Sequence, residues 1–500
     1  MLTRTSLIVV ASFLIHGRAF TQDKKPAAKA EHLKEVQATT QHSIAIKGGK
    51  LDYTATAGNL LLKEEDGKVK ASIFFIAYTR DGVKDMKKRP VTFTFNGGPG
   101  SSSVWLHLGA FGPKRVLMTD KGEALPPPYR LVDNDETLLD VTDLVFIDPP
   151  STGFSRIAPG EKHKDFHGVN EDVKAVGEFI RLYTTRQRRW DSPKFLAGES
   201  YGTTRAAGLS GYLQDKLGMN LNGIMLVSAV LNFMTIRFDE GNDLPYILYL
   251  PTYTATAWHH KKLGTELQDN FRKALDEAEK FAMTDYTLAL MKGSKLTPSE
   301  TKEIAGKVAR LTGLSPDFVL RSNLRVPIFR FTKELLRGER RSVGRFDSRY
   351  KGIDRDAAGE SPDYDPSYAA IQGTYTATLN QYLRNDLKFE SDSPYEILTG
   401  RVQPWNFETA TNRYLDVSGS LRAAMTKNPH LKVFVANGYY DLATPYFATE
   451  YTFNHLGLDR SLTGNITMEN YAAGHMMYVH RASHERLKRD LAKFVREACP

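Results

Sequence analysis

The stretch that decides the fold is residues 194–208, Lys-Phe-Leu-Ala-Gly-Glu-Ser-Tyr-Gly-Thr-Thr-Arg-Ala-Ala-Gly. A short apolar strand, Phe195-Leu196-Ala197, runs into Gly198-Glu199-Ser200-Tyr201-Gly202, and a small-residue helix follows. A G-x-S-x-G pentapeptide between strand and helix is a sharp turn that lifts a serine hydroxyl out of the backbone. Such a turn forces strained dihedrals on the serine, and side chains on its flanks would strike neighbouring strands, hence glycine at both ends. Ser200 is therefore the candidate nucleophile.

A serine hydroxyl needs a base, and the base needs a carboxylate to orient it. In α/β-hydrolase folds the chain order is serine, then acid, then histidine, with the acid just after a late strand. Asn437-Gly438-Tyr439-Tyr440-Asp441 follows the apolar run 433–436, which makes Asp441 the candidate acid. Ala473-Gly474-His475 follows the run 466–471 and precedes the last helix. Among 13 histidines the main rival to His475 is His480, five residues on, while His484 reads as a capping or solvated residue. Gly474 permits a sharp turn and favours His475 as base. Upstream, Asn96-Gly97-Gly98-Pro99-Gly100 follows the strand-like run 91–95. A glycine-rich loop there can aim backbone N–H groups at a developing oxyanion, with the N–H of Tyr201 as second donor.

Around these motifs, short apolar runs at 71–78, 91–95, 144–147, 195–197, 223–230, 433–436 and 466–471 alternate with helical patterns at 171–183 and 203–217. The last helix, 483–498, sets Leu487, Leu491, Phe494, Val495 and Ala498 on one face. Alternation of this kind predicts an α/β sandwich with a mostly parallel sheet. It fails between 237 and 401, where helical patterns at 265–283, 301–311 and 317–324 and aromatic residues dominate. That segment reads as an insertion dividing a core of 22–236 and 402–500. Residues 1–19 read as a secretory signal peptide, with Arg4, the ten-residue apolar run 6–15 and small residues before a cleavage point near residue 21.

Composition bounds the rest. With 500 residues, 41% hydrophobic and 25% charged, the chain can bury a large core and is not disordered by composition. The mature part has no apolar run long enough for a polytopic membrane protein. One cysteine, Cys499, excludes an internal disulfide and a zinc cluster. The net charge is +9, and residues 321–351 hold ten Lys/Arg against three Asp/Glu. This run reads as a solvated face of the insertion, or as a lure for an anionic substrate or surface; nothing beside it resembles a nucleic-acid module.

Five segments in order, FNGGPGSSS (95–103), FIDPPSTGFS (146–155), AGESYG (197–202), NGYYDLATP (437–445) and AAGHM (472–476), resemble the signatures of the serine carboxypeptidase family. The scarcity of cysteine is similar to its bacterial branch. The resemblance implies an α/β-hydrolase core with a helical cap, a Ser200–Asp441–His475 triad, and Gly98 and Tyr201 as oxyanion donors. It also implies that Asn96, Gly97 and Glu199 hold the substrate's C-terminal carboxylate, and it implies no metal or organic cofactor. One position departs: many relatives carry a second glutamate where this chain has Ala110, in HLGAFGP. The expected activity is release of C-terminal amino acids from peptides by an exported enzyme, periplasmic or extracellular. The alternatives are an esterase or acyltransferase on the same core, or an exported binding protein that keeps the fold without catalysis.

Overall fold

A computed structural model describes residues 33–407 and 410–499. The signal peptide expected over residues 1–21 lies outside them. Among the described residues the main sheet has ten strands. Nine are labelled here: β1 (Gln37–Ile46), β2 (Gly49–Lys63), β3 (Val69–Arg80), β4 (Val91–Phe95), β5 (Asp143–Ile147), β6 (Lys194–Ser200), β7 (Gly223–Ala229), β8 (Lys432–Gly438) and β9 (Ile466–Tyr471). Their spatial order is β1-β2-β3-β5-β4-β6-β7-β8-β9. The pairs β1/β2, β2/β3 and β3/β5 are antiparallel. From β5 onward every neighbour is parallel. The short strand Arg156–Ile157 attaches to β3.

The predicted strands all form. The hairpin β1–β2 is an addition to them. Its inward residues include Ala55 and Ala57 beside Leu51 and Tyr53, so the period-2 signal is carried partly by side chains too small to register as apolar.

Strands β4 to β8 are short and buried on both faces, which explains their unbroken apolar runs. One face is covered by α1 (Val169–Arg186) and α2 (Tyr201–Leu217), whose Val176, Phe179, Ile180 and Leu209 pack on Phe93, Leu196 and Leu226. The C-terminal helix Arg481–Glu497 covers the other, setting Leu487, Leu491, Phe494 and Val495 against Phe195 and Phe434.

Residues 237–401 are mainly helical and pack in two ways. α3 (Leu244–His259), α4 (Phe271–Phe281) and α5 (Pro298–Thr312) share an apolar cluster that also takes in Tyr440, Leu442 and Tyr446 from the loop and helix after β8. α6 (Pro366–Asn385) joins the sheet instead, through Ile371, Tyr375, Leu379 and Tyr382. No helix among the described residues is long and apolar enough to cross a membrane.

Candidate active site

Ser200 ends β6 and begins α2 at φ 60°, ψ −129°. This is the left-handed half of backbone space, disfavoured for a residue with a Cβ. The flanking glycines are required by contact. A Cβ on Gly198 would lie 2.2 Å from the carbonyl oxygen of Gly202, and one on Gly202 would lie 2.8 Å from that of Phe95. The loop after β4 presses on the same turn: a Cβ on Gly97 would sit 2.4 Å from the Tyr201 nitrogen. Gly98, Ser200, Tyr201 and His475 border one cleft of about 550 Å³. The Tyr201 N–H opens α2, so it has no intrahelical acceptor.

Asp441 and His475 leave neighbouring parallel strands β8 and β9 at their C-terminal ends, where open α/β sheets place their ligands. His475 Nδ1 is 2.7 Å from Asp441 Oδ2. A carboxylate only accepts, so Nδ1 carries the proton and Nε2 keeps a lone pair. Asp441 is fully buried and saturated: Ala443 N and Thr444 N donate to Oδ1 at 2.7 and 3.0 Å, and Thr444 Oγ1 donates to Oδ2 at 2.7 Å. His475 is pinned by its backbone, whose N–H donates to Phe346 O and whose carbonyl accepts from Ser228 Oγ. Its ring lies flat on Phe346, centroids 4.9 Å apart. Burial alone would lower the pKa of His475. The Asp441 charge and hydrogen bond outweigh it, with help from Glu199, and the net direction is upward.

The rival histidines lie elsewhere. His480 sits at the start of the C-terminal helix with Nδ1 2.8 Å from Ser483 Oγ. His484 is buried, not solvated: its Nε2 is 2.9 Å from the Ala110 carbonyl oxygen, and burial pushes it down to about 4. The expectation of a capping or solvated residue fails because helix Arg481–Glu497 turns this face onto the segment before Gly112.

At the other end of the cleft the bonding is incomplete. The Oδ1 of Asn96 accepts from Leu106 N at 3.1 Å, which fixes the amide orientation. Its Nδ2 is buried and has no acceptor in good hydrogen-bond geometry, though it lies near enough to Glu199 to favour that carboxylate's charged form. Glu199 is 3% exposed, and burial pushes its pKa up to about 7. Asp441 adds to that rise, while His475, Tyr478 and Asn96 oppose it. One carboxyl oxygen of Glu199 accepts from the Tyr478 hydroxyl at 2.5 Å. Arg205 of α2 holds the Asn96 loop from behind: buried and paired with Asp172 at 2.7 Å, it donates to the Asn96 carbonyl at 2.6 Å.

Tyr478 escaped the sequence reading. Its ring covers Gly109, where a Cβ would come within 2.4 Å of Tyr478 and 2.7 Å of the Tyr375 hydroxyl. Thus a phenol reaches Glu199 over the segment containing Ala110. The signal was its place three residues after His475 on the same loop. The motif at 146–155 supports from below, with Asp148 Oδ1 accepting from Ser103 N at 2.9 Å. Among the described residues no group of three His, Cys, Asp or Glu is placed to hold a metal ion.

The model of the serine carboxypeptidase family matches residues 49–487, and the chain belongs to that family. It is 25% identical over 430 residues, 80% of this chain and 74% of the other, to serine carboxypeptidase-like 34 of Arabidopsis thaliana. A shorter match, 28% over 193 residues (37% of this chain, 35% of the other), is to the lysosomal protective protein of Mus musculus. Among solved structures the fold is similar to KEX1(delta)p, a prohormone-processing carboxypeptidase from Saccharomyces cerevisiae. That comparison has a TM-score of 0.56 and 16% identity, and covers 89% of this chain and 91% of that one. The fold is thus that of the α/β-hydrolases, and the chain is a serine-type carboxypeptidase by family.

Proposed function

We propose that this enzyme removes the last residue of a peptide through an acyl-enzyme on Ser200. The substrate carboxylate takes the Asn96 amide, with the Gly97 N–H and Glu199 beside it. Ser200 Oγ bonds to the last peptide carbonyl carbon as His475 Nε2 takes its proton. The oxyanion is met by the N–H groups of Gly98 and Tyr201. His475 then gives the proton to the departing amine as the C–N bond breaks, and water reverses the sequence on the ester. Asp441 keeps the imidazole in its working tautomer. The helical segment 237–401 serves as the cap that roofs the cleft between the core portions 22–236 and 402–500. The leader at residues 1–21 directs export to the periplasm or the extracellular space.

The observation that carries this reading is the unpartnered, buried Asn96 amide beside Glu199, the residue before Ser200. Such a donor is costly to leave unmet and suits a buried carboxylate acceptor. Near neutrality, where the carboxyl of Glu199 is part protonated, it can share its proton with the substrate carboxylate in a strong O–H···O⁻ bond. The test is release of amino acids from free-acid peptides, with ester hydrolysis run alongside. Release of single C-terminal residues that disappears in Ser200→Ala supports the reading. Ester cleavage without release from any peptide favours the esterase or acyltransferase alternative.

A further inference from the structure

Seven of the ten basic residues in the run at 321–351 are in ion pairs. Arg321, Arg325, Arg330 and Lys333 bond to Asp317, Asp243, Glu360 and Asp354. Arg337, Arg349 and Lys351 bond to Glu334, Asp347 and Glu339. These seven are spoken for. Of the others, Arg345 borders the cleft that holds Ser200 and His475. It is half-buried, and its guanidinium lies 4.6 Å from the centroid of the Phe346 ring that backs His475. Among the described residues its side chain has neither an ion pair nor a hydrogen bond.

A second arginine borders the same cleft. Arg237, just past β7, rests over Phe233 at 5.9 Å and likewise has no carboxylate partner among the described residues. The buried Tyr249 phenol, on which both guanidinium groups act electrostatically, borders the same cleft. The carboxylates bordering the cleft are Glu199 and Asp239. Glu199 is engaged by Tyr478, and Asp239 takes a hydrogen bond from Tyr414. Neither is in an ion pair with these arginines. An aromatic ring beside each guanidinium helps to hold it at the cleft, and a guanidinium without a carboxylate partner is suited to receive one.

We infer that Arg237 and Arg345 select substrates that carry an acidic side chain next to the scissile bond. The inference rests on the proposed carboxypeptidase reading and names the peptides it favours. Glutamate fits better than glutamine because a charge-assisted bond is stronger than a neutral one, most of all at the half-buried Arg345, Arg237 being exposed. A lysine there meets like charge. The preference is electrostatic, so salt weakens it.

The experiment uses the full enzyme and free-acid peptides matched except for Glu, Gln or Lys at the penultimate position, with a second set varied at the last position. In one set or the other, kcat/KM for Glu exceeds that for Gln by about tenfold to a hundredfold. Lys falls below Gln, and the Glu/Gln ratio shrinks as sodium chloride rises. The set that shows the preference identifies the side of Ser200 the arginines serve. In Arg345→Gln and Arg237→Gln the Glu/Gln ratio falls toward one. Cleavage of the Gln peptides with no advantage for Glu in either set overturns this inference and leaves the carboxypeptidase reading standing. No release from any peptide overturns both. The wild-type ratios decide even where a variant fails to fold.

Discussion

At one end of the cleft Asp441 takes two backbone N–H donors, a threonine hydroxyl and the His475 ring, and His475 is pinned at its N–H, its carbonyl and its face. At the other end the Asn96 amide has no acceptor in good hydrogen-bond geometry, with Glu199 only nearby, and Glu199 has a single well-formed donor, the Tyr478 phenol, on one oxygen. Both ends are buried, so desolvation does not distinguish them. What differs is whether the protein answers its own polar groups. On the proposed reading, the groups that move protons are satisfied internally and held in one geometry. On the same reading, the groups that recognise a ligand are left for the ligand to satisfy.

Breaking the satisfied end costs most. Ser200→Ala should fold normally and lose roughly 10⁴–10⁶ in kcat, because the triad works as a unit; thermal melting and steady-state turnover check this together. Asp441→Asn keeps the shape but lets the imidazole take the wrong tautomer, and kcat should fall about 10⁴-fold with KM little changed. At the other end, Arg205→Met strands Asp172 as a buried unpaired charge and removes the donor to the Asn96 carbonyl. Denaturant unfolding should register about 3–5 kcal/mol of lost stability.

The smallest effect is the sharpest probe of the unsatisfied end. The Tyr478 hydroxyl donates to the Glu199 carboxylate and favours its charged form, so Tyr478→Phe should raise the Glu199 pKa further above 7. The rise of KM for free-acid peptides should then move up by about one pH unit, as for loss of one hydrogen bond to a charged group. A KM profile that stays in place while kcat falls would make Tyr478 a packing residue only.

The same contrast decides what could be read before the structure. The turn at Ser200 is legible because its constraint is local: the clash partners of Gly198 and Gly202 lie within a few residues or on the adjoining strand. The order of Ser200, Asp441 and His475 follows from parallel strands ending side by side, and alternation in the sequence announces those strands. Tyr478 is hard to read because it meets Glu199 across 279 residues, and the one local signal is its place three residues after His475. The run at 321–351 overstates the free charge for the same reason, since four of the seven carboxylates that neutralise it, Asp317, Asp243, Glu360 and Asp354, lie outside it. His484 was misread because position in a helix does not tell which face is covered. The β1–β2 hairpin was missed where alanine stands on the buried side of the strand.

The central claim is that Asn96 and Glu199 bind a substrate carboxylate, with Glu199 working best when protonated. Its most direct test is KM against pH for matched free-acid and C-terminally amidated peptides, in the wild type and in Glu199→Gln. Glu199 has its pKa raised from 4.5 to about 7, so it is protonated below that pH and charged above it. The account predicts that KM for the free acid climbs as pH passes through about 7, that the amide shows little of this climb, and that Glu199→Gln flattens it for the acid. Matching profiles for acid and amide, unaltered in Glu199→Gln, would contradict it.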